Sequence, residues 1–410
     1  MWIGTGGLRL VARQAHRLWL LEQARGLLDL HGVQTIDTRG GFRPLTAEGG
    51  PRQIHDTARM VHCHAAGHLL GHPGSDRMVD HGMSFLLTAH RDAVHGGYVW
   101  SPDGNDTKQA YGHAFVLLAA SSAKVVGHSD ADALLADVAQ VLTDRFWDED
   151  AGASREEFGR DWSAMGSYRG QNSNMHLTEA LMAAFEATGE RSFLTRAERI
   201  AELVIDRHAR TEGWRVAEHF HEDWTVDRDY EGDPMFRPAG TTPGHALEWS
   251  RLLVQLGQLS GQGWALEAAR ALFLNTVRIG WAADTGGFYY TLDWEDRPKR
   301  ADRFWWPCAE GIGAAAVLAE VTGDPLFEEW YRRIWDTVAA HFIDPGDGGW
   351  FPELDERMRP VERVFSGKPD LYHALQACLI PLLPADGSVT RGLSERVDLL
   401  NPTWGQGPRG

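Results

Sequence analysis

The sequence predicts an all-α fold, an (α/α)6 barrel of six helical hairpins with short β-hairpin loops at one face, and three observations carry that reading. One unit recurs along the chain: a helix of small and apolar residues, a tight turn with Gly and Asp or Glu, an amphipathic helix, then a Gly-aromatic stretch of strand character. An incomplete unit stands at each end, and the two complete each other, so the array is expected to close into a ring rather than continue as an open solenoid. Small residues crowd the first helix of a unit while the second is amphipathic, the division expected of an inner and an outer ring.

From Ala12 to His31 the residues Leu18, Leu20, Leu21, Ala24, Leu27 and Leu28 recur at helical spacing, and Gly32 supplies the stop. The unit from Ala58 to Trp100 turns at Gly71 to Gly74, runs helical through Ala89 and ends in Gly96-Gly97-Tyr98. That from His113 to Phe158 turns at Gly127 to Asp130 and carries its second helix to Phe146. The next, Glu179 to Phe220, turns at Thr188-Gly189-Glu190, runs through His208 and reaches Gly213-Trp214. His245 to Trp294 closes on Gly286-Gly287-Phe288. The clearest copy is Ala309 to Leu354, with the turn Thr322-Gly323-Asp324, a helix from Phe327 to Phe342 and a hairpin at Asp347 to Trp350. Asp370 to Leu382 then supplies an inner helix whose outer partner is the helix at Ala12 to His31. No Pro-, Gly- or Ser-rich linker interrupts the series, so one domain is expected over residues 1–410, with a core at about 12–385 and a frayed tail from Ser394.

With 43% hydrophobic residues in 410, the chain can bury a large core. A formal charge of -17 with dispersed Lys and Arg argues against nucleic acid or an anionic membrane as partner and leaves a small polar molecule. The chain is expected as a monomer or homo-oligomer. Cys63, Cys308 and Cys378 are too few and too far apart for a disulfide framework or a thiolate metal site, which suits a reducing, cytoplasmic setting. Met1 to Leu10 lacks the basic start and apolar run of a secretory signal, and no run reaches membrane-spanning length. Seventeen Trp and nineteen His are many: indole faces stack on the C–H faces of sugars and imidazoles titrate near neutrality, the pair of properties a carbohydrate site uses.

The stretch Thr241 to Trp249 sets His245 and Glu248 three residues apart behind a Pro243-Gly244 helix start, on one helix face. An isolated pair of this kind would as readily hold a helix terminus. When the units are aligned, however, polar residues recur at the start of every inner helix: Arg59, Tyr111 or His113, His176, His245, Glu310 and His373. In a ring these converge on one mouth, where core packing would ask for apolar residues. Loops feeding the same mouth add Asn172 and Asn174, Arg237, Trp305 and Trp306, and Lys368 to Asp370. In the run His62 to His68 only His64 and His68 share a helical face and no third ligand joins them, so no metal site is read there. Neither a nucleophile elbow, a phosphate loop nor a dinucleotide fingerprint is present.

The runs Thr57 to Met60, Asn172 to His176, Thr242 to Trp249, Trp306-Pro307 and Lys368 to His373 resemble the N-acylglucosamine 2-epimerase superfamily, and within it the branch of D-mannose and sulfoquinovose isomerases. The resemblance spans about Leu18 to Pro384. It implies an (α/α)6 barrel that isomerises or epimerises free sugars without metal or cofactor. It further implies that His245 and His373 are the catalytic acid/base pair and that Arg59, Tyr111, Asn172, His176, Arg237, Glu248, Trp306 and Glu310 line the sugar site, to which the loop reading adds Asp370 as a binding residue. One departure is His55, one turn before Arg59, where some relatives carry an aromatic side chain.

Aldose–ketose isomerisation needs a proton moved between adjoining carbons and another between their oxygens, and histidine can accept and return a proton near pH 7. The expected reaction is D-mannose to D-fructose, with D-lyxose to D-xylulose beside it, through a cis-enediol. His245, oriented by Glu248, would open the sugar ring and His373 would carry the carbon-bound proton. Sulfoquinovose isomerisation and 2-epimerisation are the alternatives within the family. A glycoside hydrolase using Glu248 and Glu310, or a non-catalytic sugar-binding module, are the alternatives outside it.

Overall fold

A computed structural model describes residues 9–43, 45 and 50–396. Helix α1 is Gln14–Leu30, and five hairpins follow. They are α2 (Ile54–Leu69) with α3 (Ser75–Phe85), α4 (Ala110–Val125) with α5 (Ala131–Val141), and α6 (Gln171–Thr188) with α7 (Arg191–Ala201). The last two are α8 (Pro243–Ser260) with α9 (Gly263–Gly280) and α10 (Trp305–Thr322) with α11 (Pro325–Thr337). The chain then adds α12 (Leu371–Leu379) and α13 (Val389–Glu395).

The even-numbered helices α2 to α12 pack side by side in sequence order, and α12 also packs on α2, so the inner ring closes. Helix α1 packs against α12 and serves as its outer partner, the split sixth hairpin that the sequence predicts. The two layers of the wall follow from the burial pattern of their helices. Inner helices such as α10 are buried along nearly their whole length, whereas α7 and α11 bury one stripe, Phe193, Leu194, Ala197, Ile200 and Ala201 in the first of these. The tight turns between α6 and α7 and between α10 and α11 use Gly189 (φ 77°) and Gly323 (φ 67°) in the left-handed region that ends a helix. Close packing of α2 on α3 needs Gly82, where an added Cβ would lie 2.4 Å from Val61.

Helices α2, α4, α6 and α10 begin three or more residues before the units that mark them in the sequence. Their first turns carry polar and aromatic side chains because they face the barrel mouth, which hides them from an apolar pattern. Short antiparallel strands deliver the chain into these starts. Lys108–Gln109 pairs with Glu157–Phe158 ahead of α4, Arg169–Gly170 pairs with His219–Phe220 ahead of α6, and Pro298–Phe304, between Tyr289–Leu292 and Glu353–Leu354, leads into α10. The outer helices α3, α5, α7 and α11 each end in a π-helical turn before the Gly-aromatic stretch returns the chain to the mouth.

At the opposite end α13 packs on α2, α4 and α6 and covers the floor of the ring. Ordered structure therefore runs past the expected core limit at 385, and Ser394, the expected start of the tail, lies within α13. Residues from 397 onward, like Met1 to Leu8, lie outside the described residues. Among those described, no helix is long and apolar enough to cross a membrane.

Candidate active site

All six inner helices present their N-termini to the mouth, so unpaired backbone N–H groups and the positive ends of six helix dipoles surround one cavity. Its volume is about 290 Å3, near the small end of ligand pockets. Arg59, Tyr111, Asn172, His176, His245, Glu248, Trp306, Asp370 and His373 line it, as the aligned sequence predicts. His31, Asp56, Phe236 and Tyr290, which sequence reasoning did not place there, line it as well, together with His55 and Lys368.

His245 stands in the first turn of α8, where Pro243 fits the helix start because its missing N–H would have no partner there. Gly244 is required by the neighbour: a Cβ would fall 2.2 Å from the Trp306 ring. The Trp306 indole lies between the two histidines, its centroid 5.0 Å from that of His245 and 5.8 Å from that of His373. Each imidazole is fixed from behind. His245 Nδ1 lies 2.8 Å from Glu218 Oε2, and His373 Nδ1 lies 2.8 Å from Glu310 Oε1. A carboxylate at Nδ1 sets the tautomer and the ring orientation and leaves Nε2 to face the cavity. Burial alone would raise both carboxyls, but His245 outweighs it at Glu218, and Arg251 followed by His373 outweighs it at Glu310. Both are thereby held below the usual range.

Glu218 corrects the expectation that Glu248 orients His245. The pairing of Gly170 with His219 brings Glu218 beside Gln171 at the start of α6. There Gln171 Nε2 donates to Glu218 Oε2 at 2.8 Å while its Oε1 accepts from Trp249 Nε1 at 2.7 Å. Glu248, one turn into α8, projects toward the barrel axis instead. Its oxygens are buried and make no hydrogen bond among the described residues; Oε1 lies 3.6 Å from His176 Nδ1 and 3.7 Å from Arg251 Nη2. Burial, then the nearby Glu310, pushes the Glu248 carboxyl well above the usual range.

Two further residues stand elsewhere than expected. Glu310 does not line the cavity; it lies behind His373, held by Arg251 Nε at 2.9 Å. Arg237 also lies outside the cavity. It is paired with Glu157 at 3.0 Å, stacks over Tyr168 at 4.5 Å and lines an adjoining space beyond Asn172 and Phe236, because those loop carboxylates offer it a partner that the cavity does not.

Arg59 reaches the cavity from α2 and is paired with Asp370 at 2.6 Å and with the Tyr111 hydroxyl at 2.8 Å, its guanidinium over the rings of Phe115 and Tyr372. Against its burial, this ion pair holds Asp370 at about 2. His55 stacks on Trp100, with centroids 5.1 Å apart, and so supplies the flat wall expected of an aromatic residue at that place. Burial lowers His31 to about 4 and His55 and His176 to about 3, which keeps all three neutral at physiological pH.

Donor atoms of His176, Glu179 and Glu248, and of Glu248, Glu310 and His373, lie close enough in each group to surround a cation. The Arg251 guanidinium already stands among these carboxylates, within 3.4 Å of Glu179 and 2.9 Å of Glu310. His64, considered above as a metal ligand, is occupied by the Ser75 hydroxyl and the His31 carbonyl, each at 3.1 Å. What the arrangement offers is proton transfer: two oriented imidazoles, a third beside them, and donors preplaced for an oxyanion.

The comparisons agree with this geometry. The N-acylglucosamine 2-epimerase (GlcNAc 2-epimerase) family model matches residues 10–377. The chain is similar to D-mannose isomerases of Thermobifida fusca, at 44% identity over 93% of this chain and 98% of the relative, and of Pseudomonas cannabina pv. alisalensis, at 43% over 93% and 96%. A solved D-mannose isomerase structure superposes with a TM-score of 0.83 at 30% identity, covering 89% of this chain and 97% of the other. A cyclic array of inner helices, two carboxylate-backed histidines at its mouth and this extent of likeness have one reading: the chain belongs to the N-acylglucosamine 2-epimerase family.

Proposed function

We propose that the protein is an aldose–ketose isomerase that interconverts D-mannose and D-fructose, with D-lyxose and D-xylulose as a second pair. The observation that carries the reading is the placement of two imidazoles, each held at Nδ1 by a buried carboxylate, on either side of Trp306 in one cavity sized for a monosaccharide. His245 opens the hemiacetal by exchanging a proton with the ring and anomeric oxygens. His373 Nε2 then removes the proton at C2 and returns it to C1 of the enediol. The developing oxyanion meets Arg59 and the N–H groups of the inner-helix starts, already aligned and shielded from water.

Charge favours a neutral sugar over a sulfonated one. Arg59 is neutralised by Asp370, Lys368 by Asp344 and Asp347, and the exposed Arg43 donates to the Gln34 carbonyl. The wall's remaining carboxyls, Asp56 and Glu248, offer a sulfonate no cation. Glycoside hydrolysis would require two carboxyls across a scissile bond, each free to exchange its role. Glu310 is held by Arg251 and His373 behind the cavity wall, which removes one of the two candidates. Incubation with mannose, sulfoquinovose and an oligosaccharide, each with and without EDTA, tests the reading. Fructose should form from mannose at an unchanged rate with the chelator, and a strong preference for sulfoquinovose, or cleavage of the oligosaccharide, would overturn it.

A further inference from the structure

Among the histidine–carboxylate pairs at the cavity, that of His176 and Glu248 differs from the two that hold His245 and His373. His245–Glu218 and His373–Glu310 are both hydrogen-bonded at 2.8 Å. His176 and Glu248 face each other at 3.6 Å, and neither His176 Nδ1 nor either Glu248 oxygen has a hydrogen-bond partner among the described residues. Buried polar atoms without partners are costly, and two that face each other about 0.4 Å beyond the usual hydrogen-bond range are each other's nearest remedy. Catalytic hydrogen bonds commonly tighten when substrate binds.

We propose that Glu248 and His176 form a relay that carries the hydroxyl proton between O1 and O2 of the sugar, with Glu248 as the buried acid behind an imidazole that touches the substrate. The proposal rests on the isomerase reading above. The other occupants of the barrel axis are committed elsewhere. Glu179 accepts from the Tyr372 hydroxyl and pairs with Arg251, and its Oε2 is 3.9 Å from His176 Nδ1, too far for a hydrogen bond. Glu310 holds His373. Nδ1 of His176 points inward to Glu248, so Nε2 is the nitrogen left for the cavity that His176 lines.

The groups facing Glu248 are Arg59 from α2, Tyr111 from α4, His176 and Glu179 from α6, Arg251 from α8, Glu310 from α10, and Tyr372 and His373 from α12. Glu179, Glu248 and Glu310 thus share one guanidinium, Arg251. With Glu179 and Glu310 held as anions, Glu248 is the carboxyl that keeps its proton.

Protons balance through the cycle. As His373 takes the proton from C2 and the C–H electron pair becomes the C1=C2 bond, O1 takes the proton on His176 Nε2, and Glu248 passes its own to Nδ1. Glu248 is then a carboxylate beside Arg251. In the second half the O2 hydroxyl returns a proton to Nε2, Nδ1 gives one back to Glu248, and the enediol collapses to the ketose as His373 delivers its proton to C1.

Glu248→Gln keeps the shape and removes the acid. Its kcat for mannose should fall about 100-fold or more with KM within threefold, in line with the loss of one acid–base group. The alkaline limb of the wild-type kcat profile should vanish with it, and Glu248→Asp should recover part of the rate. A second readout needs no substrate. The infrared spectrum at pH 8 should contain a protonated-carboxyl band that Glu248→Gln abolishes and Glu248→Asp shifts. A Gln variant with kcat within threefold of wild type, or wild-type and Gln spectra alike in that band, would sink the relay while leaving the isomerase reading in place. Should the wild-type protein turn over no aldose, the isomerase reading falls and the relay with it.

Discussion

Glu218→Gln tests the most consequential contact that the sequence conceals. The carboxylate accepts from His245 Nδ1 through both oxygens, at 2.8 and 3.0 Å, and from Gln171, in a place sealed from solvent. Glutamine preserves volume and one acceptor but removes the charge that stabilises the imidazolium form. A hydrogen bond to a charged group is worth about 1.5–3 kcal/mol. At about 1.4 kcal/mol per factor of ten, kcat/KM for mannose should fall roughly 10- to 150-fold. The loss should be greatest in the ring-opening step, so an open-chain substrate should recover most of it. The assay is initial-rate fructose formation beside a thermal melt, which separates damage to the fold from damage to the base. Activity within twofold of wild type would refute the reasoning and return the orienting role to Glu248.

Three other outcomes follow from the same geometry. His373→Ala should abolish exchange of the C2 proton with deuterated water even for an open-chain sugar, whereas His245→Ala should be partly rescued by one; a folded His245→Ala protein inactive on open-chain sugar would instead indicate two bases at the carbon. Gly244→Ala drives a methyl to 2.2 Å from Trp306; overpacking of this kind costs about 1–3 kcal/mol, and displacement of the indole should lower kcat/KM at least about tenfold. Unchanged kinetics would show that Trp306 yields freely. Burial, with Asp370 nearby, raises Asp56 to about 7 from 3.8, so between those pH values the folded protein binds more protons than the unfolded chain, and stability falls as pH rises through that window. Asp56→Asn removes this slope. Urea unfolding should show the variant gaining on wild type between pH 5 and pH 8, and a constant difference would refute the assignment.

Helix pairs were legible because each repeats its own local pattern, and the closing of α1 on α12 was legible because an unpaired helix remained at either end. The site was legible where it coincided with the repeat. Arg59, His176, His245 and His373 all stand in the first two turns of inner helices, and a helix start carries its side chain to the mouth whatever the loops do. Glu218 and Gln171 were missed for the converse reason. Their meeting depends on a two-residue strand pairing between segments that precede different helices, which no periodicity records. Arg237 was misplaced on the same account: a loop cation goes to whichever carboxylate folds beside it, and here those are Glu156 and Glu157. Glu248 was expected to orient His245, but that place belongs to Glu218, and Glu248 faces His176 instead. The partner, across the axis on α6, is visible only once the ring has curvature.

The pairing of α1 with α12 also bears on how the molecule comes into being. During synthesis from the N-terminus, α1 waits without its partner while five complete hairpins emerge and stack. Until α12 leaves the ribosome there is a seam, with the apolar stripe of α1 and one flank of α2 and of α10 uncovered. Arg59 borders that seam while its partner Asp370 and His373 arrive only with α12, so a nascent chain has neither the cavity nor its charge balance. Contacts this distant in sequence form slowly and leave intermediates open to association. Catalytic competence should therefore arrive in one late step rather than grow with chain length, and a chain stopped short of Leu371 should be an open spiral that seeks a second copy to cover its ends.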